Sequence, residues 1–181
     1  MMSAALRGER LAPALLFLIG LATILGAWAF ELAGYIPCEL CLKERVPYYL
    51  GLAIGLAALL AAAAGAKPTV PRLLLIVAGL VFAYGIYLGV YHAGAEWRFW
   101  PGPTECSGGG ALSTTTDDLL NALKRAHVVS CTDPAFRFPA APWGLSLAGA
   151  NALISILLTA IAFWGAFRPL GPEEAAAAQR T

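Results

Sequence analysis

Charge is what this chain has least of. Only 13% of its 181 residues are Asp, Glu, Lys or Arg, the net charge is +1, and no basic run occurs. Nothing there points to partners recognised through clustered Lys and Arg, nucleic acid above all. Histidine is scarce, with two copies, and the whole thiol complement is four cysteines. What fills the space is apolar: 59% of residues are hydrophobic. A soluble core of this size does not need that surplus, whereas a bilayer does.

The apolar residues fall in four uncharged runs. Leu11 to Phe30 covers 20 residues, Val46 to Ala66 21, Leu73 to Ala95 23, and Trp143 to Phe167 25. About 20 helical residues cross a hydrocarbon core, and lipid forces each backbone amide to be satisfied within its own segment. The expectation is an all-α membrane protein, one domain over 1–181. It is an antiparallel four-helix bundle with transmembrane helices at about 11–31, 46–66, 72–94 and 143–167. Ala27-Trp28-Ala29 has the form of a signal-peptide cleavage site. The run is longer than a usual signal core, however, and reads as an uncleaved first helix. Gly51/Gly55 and Gly85/Gly89 have GxxxG spacing, which suits close packing inside one bundle or, less favourably, a dimer seam.

Parity of the spans puts the loops at about 32–45 and 95–142 on one side, and both termini on the other. Cys38, Cys41, Cys106 and Cys131 all lie in those two loops. Raw Lys/Arg counts tie, but long loops translocate largely regardless of charge. Discounting the long third loop favours cytoplasmic termini, and outward-facing cysteine pairs fit an oxidising compartment. Tyr35, Tyr48, Tyr49, Tyr91, Trp97, Trp100 and Trp143 mark the cysteine-side interface. Within the long loop, STTTDDLLNALKRAH (113–127) predicts a short amphipathic helix, with Thr115 and Asp118 in capping-box positions.

The cysteines admit three chemistries. Zinc is the weakest reading, because Cys106 and Cys131 are far apart in sequence and no second CxxC or histidine spacing completes a site. Two structural disulfides, in a membrane scaffold or interaction protein, are the alternative. A CxxC disulfide, though, closes too small a loop to remove much chain entropy. A redox relay explains more. One pair sits in an exposed Gly/Pro-rich loop, suited to meet another protein. The other sits at the membrane edge, suited to a lipid-soluble oxidant. Arg45, four residues after Cys41, reads as a cation beside a thiolate or as a headgroup anchor. Pro47 sets the start of its helix nearer Glu44 than Cys41. Glu31 and Asn151 read as structural, a helix-end carboxylate and a bundle contact with Ser155 on its face.

CELCLKER ahead of the second run, YHAGAEW at the end of the third, the Cys106/Cys131 pair and WGLSLAGANALI opening the fourth resemble the bacterial DsbB disulfide bond formation family over nearly the whole chain. The vitamin K epoxide reductase family has the opposite order, with its loop cysteines before the CxxC. The resemblance implies a protein of the bacterial inner membrane that re-oxidises a periplasmic DsbA-like oxidase of thioredoxin fold. The electrons would pass to a membrane quinone, ubiquinone or menaquinone. It implies that Cys106 forms the mixed disulfide with the partner and that Cys131 is its pair. Cys38 and Cys41 would form the membrane-edge disulfide, and Cys41 would be the thiolate that engages the quinone with Arg45 beside it. His92 falls where the family has a histidine near the quinone; on its own it would read as an interface residue. The segment after Cys131, TDPAFRFPAAPWGLSL, is richer in proline than the family's usual pattern.

Overall fold

The structure is a computed structural model that describes residues 5–102, 127–128, 131–134, 136–139, 144–169, 171 and 175. Cys106 and the amphipathic helix expected from Thr115 lie outside the described residues.

Four long helices carry the fold: α1 (Ala5–Leu32), α2 (Glu39–Ala63), α3 (Thr69–Glu96) and α4 (Leu147–Phe167). All four are long and apolar enough to cross a membrane, and they form the expected four-helix membrane bundle. Each packs on its neighbour in sequence, and α1 returns against α4 to close the ring. The α2–α3 turn is short because Gly65 takes a positive φ of 71°, a conformation that glycine adopts without a Cβ penalty.

Small residues set how closely the helices approach. A Cβ on Gly89 would meet the Ala152 Cα and N at 2.9 Å, and one on Gly85 would meet Ser155 Oγ at 3.1 Å. Gly51 lies under the Phe82 ring, and Gly55 packs on Pro13, Leu16 and Phe17 of α1. Both GxxxG pairs are therefore spent inside the bundle. The outward faces carry exposed Leu18, Leu25, Leu60 and Leu80, as lipid contact requires. Tyr48, expected among the interface aromatics, is instead 2% exposed. It packs edge-to-face on Phe82 at 5.7 Å.

α2 begins well before its apolar run, at the CxxC itself. Cys38 is the N-cap: its sulfur accepts from the Cys41 amide at 3.2 Å, and its carbonyl accepts from the Leu42 amide at 3.1 Å. Lys43 pairs with Glu39 at 2.6 Å along the first turns. Pro47 therefore lies inside the helix, where it removes one amide donor. Neighbouring helices make such a proline tolerable in a membrane span. The consequence for the site is that Cys41, Glu44, Arg45 and Tyr48 all stand on one regular helix.

Two short ribbons tie the long loop down. β1 (Tyr35–Ile36) pairs in parallel with β2 (His127–Val128). β3 (Arg137–Phe138) pairs antiparallel with β4 (Leu145–Ser146). The first ribbon holds the approach to Cys131 against the loop that precedes Cys38. At the opposite end of the bundle Arg10 donates to the Ala63 carbonyl at 3.2 Å and Arg72 to the Arg168 carbonyl at 2.6 Å, complementing helix C-termini.

Gly89→Val should push α3 off the α4 backbone. Overpacking of this kind costs about 1–3 kcal/mol. Thermal unfolding in detergent is expected to show a lowered midpoint for this variant, with helix content at low temperature unchanged.

Candidate functional site

The polar residues of the bundle converge at the end where α1 and α3 finish and α2 and α4 begin. The N-terminus of α2 supplies Cys38, Cys41, Glu44 and Arg45. The last turns of α3 supply His92 and Glu96, four residues apart and so on one face. Ser146, the N-cap of α4, accepts from the Gly149 amide at 3.1 Å and stands beside Glu96.

His92 organises this cluster. It is 2% exposed, while Glu44 and Glu96 are 8% and 5% exposed. Its Nδ1 lies 3.0 Å from Glu44 Oε1. A carboxylate there fixes the tautomer with the proton on Nδ1. The other ring nitrogen, Nε2, then faces Cys38 Sγ at 3.8 Å and Glu96 Oε1 at 3.8 Å.

Cys38 and Cys41 are both free thiols, with their sulfurs 2.7 Å apart, so joining them requires no backbone movement. The Cys38 thiol is held far below its ordinary value, at about 5. The main cause is the hydrogen bond from the Cys41 thiol; His92 adds to it and burial opposes it. These contacts favour the anion on Cys38, at a helix N-terminus where backbone amides also stabilise negative charge, whereas the family resemblance put the thiolate on Cys41.

Cys131 completes the cluster. It is disulfide-bonded and fully buried, in a small core with Cys38 and Leu40 against which Cys41 and Tyr91 pack. The ligand atoms of Cys38, His92 and Cys131 all lie within 4.8 Å of one another. The cysteine of the long loop thus meets the first cysteine of the CxxC.

A cavity of about 290 Å³ opens on the other side of the pair. Its wall is mostly apolar, from Ala22 to Phe30 of α1 and from Leu147 to Ile154 of α4. Its polar groups include Cys41, Glu44, Arg45, Tyr48, His92, Glu96 and Asn151, whereas Cys38 is not in the lining. Tyr48 donates to Asn151 Oδ1 at 2.6 Å and lies 3.3 Å from Ser155 Oγ. The Asn151 amide nitrogen is buried without a partner among the described residues.

The structure brings together Cys38, Cys41, Arg45, His92 and Cys131. Arg45 lines the cavity with Cys41, but its guanidinium is engaged by Glu31, Nη1 to Oε2 at 2.7 Å. The group that faces the low thiol is His92. Glu44 and Glu96 were not singled out from sequence, and Tyr48 was read only as an interface aromatic. Their signal was available: a charged residue inside an apolar helix is costly and marks a site, and both glutamates flank predicted spans at helical spacing from Cys41 or His92.

The thiolate absorbance of the reduced protein should persist well below neutrality and be lost as pH falls through about 5. His92→Ala removes one of the interactions that favour the anion, and should raise that midpoint by about 1 unit or more. Ultraviolet titration of both proteins checks this.

Comparison with known families gives a match to the family model of the disulfide bond formation protein DsbB over residues 9–165. No curated protein and no solved structure matches the chain.

Proposed function

The chain belongs to the DsbB family of disulfide bond formation proteins, and from that premise we propose that it re-oxidises a periplasmic DsbA-like thiol oxidase and passes the electrons to a membrane quinone. One observation carries the reading: the CxxC pair is two-sided. Cys38 lies within 4.8 Å of Cys131, while its partner Cys41 lines an apolar cavity between membrane helices. Inert structural disulfides need neither feature. The family supports a membrane disulfide oxidoreductase of bacterial type, and the inner membrane with cytoplasmic termini is the proposed setting.

The electron path follows from thiol–disulfide exchange, in which a thiolate attacks a disulfide sulfur. The partner's thiolate attacks Cys106, and the mixed disulfide resolves to leave Cys106 and Cys131 reduced. The Cys131 thiolate attacks Cys38 of the oxidised CxxC, which forms a Cys131–Cys38 disulfide and expels Cys41 as a thiolate. The Cys106 thiolate then attacks Cys131, which restores the loop disulfide and releases Cys38. The outcome is a reduced Cys38 and Cys41 beside the restored loop disulfide.

The cavity suits a quinone ring. At about 290 Å³ it stands at the small end of ligand sites, which run from roughly 300 to 1,000 Å³, and a few polar groups interrupt its apolar wall. Arg45 and the unpartnered Asn151 amide are suited to hold carbonyl oxygens, and His92 and Glu96 approach from the aqueous end. A quinone bound there supplies a two-electron, two-proton acceptor. The chain's own contribution is to hold Cys41 against the cavity, keep water out with Phe30, Leu147 and Ile154, and keep one sulfur of the pair anionic.

Two measurements test this with purified protein, a reduced thioredoxin-fold oxidase and a soluble quinone. Cys131→Ser should stop oxidation of the partner while leaving the Cys38–Cys41 pair oxidisable by quinone, and Cys41→Ser should abolish quinone reduction. Full-rate partner oxidation by the Cys131→Ser variant sinks the relay.

Arg45 gives a graded test. A hydrogen bond to a charged group contributes about 1.5–3 kcal/mol, so Arg45→Met should raise the quinone KM roughly tenfold or more. Arg45→Lys should fall between, since it keeps the charge but loses the forked geometry. An unchanged KM in the Met variant makes Arg45 only the anchor of Glu31.

A further inference from the structure

Glu96 is not explained by the electron path. It is buried at the end of α3, 5% exposed, and it lines the cavity. One of its carboxyl oxygens, Oε2, has no hydrogen-bond partner among the described residues. The other faces His92 Nε2 at 3.8 Å. A carboxyl buried with an unpartnered oxygen is costly if its position is only structural.

The proton count of the proposed reaction gives it a task. The reduced pair is Cys38–S⁻ with Cys41–SH, because Cys38 is the anionic member. Closing the disulfide releases two electrons and one proton, whereas reducing a quinone to quinol takes two electrons and two protons. The balanced step is Cys38–S⁻ + Cys41–SH + quinone + H⁺ → Cys38–S–S–Cys41 + quinol. One proton must come from a group other than sulfur.

The geometry shows which group is placed to hold that proton. His92 is held by Glu44 at Nδ1, and its Nε2 lies 3.8 Å from both Cys38 Sγ and Glu96 Oε1. The carboxyl of Glu96 is thus joined to the thiol pair through one imidazole and lines the cavity as well. Around the buried Glu96 carboxyl stand Glu44, His92 and Arg137, and Ser146 lies against it. Arg137 donates to the Glu96 backbone carbonyl at 3.0 Å. Glu31 of α1 is already engaged by Arg45. Among the described residues, two carboxyls and a thiol face His92 and Arg137 in one buried cluster, where protons belong to the group as a unit.

We propose that Glu96 is the proton donor of quinone reduction: it takes up a proton when Cys38 is released as a thiolate and delivers it to the acceptor in the cavity. This rests on the quinone reading above and assigns a residue within it.

The test compares native protein, Glu96→Gln and Glu96→Asp. In quinone-free protein, reducing the CxxC pair with a small dithiol should raise a carboxylic-acid carbonyl band in the infrared difference spectrum. That band should be missing in Glu96→Gln and present, shifted, in Glu96→Asp. With a soluble quinone, Glu96→Gln should lose about 100-fold or more in kcat at neutral pH, the scale of general acid catalysis, with quinone KM within about twofold. Its kcat should then fall about tenfold per pH unit, because solvent must supply the proton, whereas the native profile is flat there. Glu96→Asp should recover most of the rate.

A carbonyl band that persists in Glu96→Gln, or a Glu96→Gln enzyme with native pH dependence, overturns the assignment while native quinone turnover keeps the parent reading. Native protein that reduces no quinone at any pH overturns both. Should Glu96→Gln fail to fold, Glu96→Asp decides alone: a native band position and a native pH profile together refute the proposal.

Discussion

One imidazole holds the working end of this bundle together. His92 is buried among two carboxyls and a thiol, and no single helix satisfies it: Glu44 comes from α2, Glu96 from its own helix, Cys38 from the α2 cap. In a hydrocarbon setting each of those groups is expensive unless it is paired. The register of α2 against α3 is thereby fixed at this end by polar contacts, whereas along the rest of their length it is fixed by Gly51 under Phe82. Moving either helix by one residue would strand a carboxyl.

Close packing elsewhere makes room for that cluster. Glycine and alanine let α3 and α4 approach until Gly89 touches the Ala152 backbone, and Tyr48 crosses the core to Asn151 and Ser155. Tyr48 lines the cavity and packs edge-to-face on Phe82. The opposite end needs no such room, and two arginines cap helix carbonyls there. The described thiol and buried carboxyl groups thus gather at one end of the bundle, while arginines cap helix carbonyls at the other.

Much of this was legible in residue order alone. Uncharged runs of about 20 residues read as spans because the bilayer imposes their length, and CELCLKER with YHAGAEW marked the family. The start of α2 was misread, because proline is a strong local signal for a first turn. The cap at Cys38 and the pairs made by Lys43, Glu44 and Arg45 outweighed it once the other helices were present. The His92 triad was legible only in halves. The four-residue spacing of His92 and Glu96 is visible in sequence, but their meeting with Glu44, 48 positions from His92, is a property of the assembled bundle. Likewise nothing local joins Cys131 to Cys38. The parallel pairing of Tyr35–Ile36 with His127–Val128 does that, and two-residue strands carry no periodicity to read.

A CxxC at a helix start has a consequence for the direction in which its two sulfurs act. The first cysteine is the cap, outside the helical hydrogen bonds, with its sulfur over the amides of the first turn and open to a loop from above. The second is within the first turn and is carried around toward the interior face, with Glu44, Arg45 and Tyr48 following it on the same helix. Two adjacent sulfurs can therefore serve two different environments without moving the backbone, one aqueous and proteinaceous, one apolar. The contacts that favour an anion fall on the loop-facing sulfur, and His92 and Glu96, on the helix that packs against both, line the cavity on the other side.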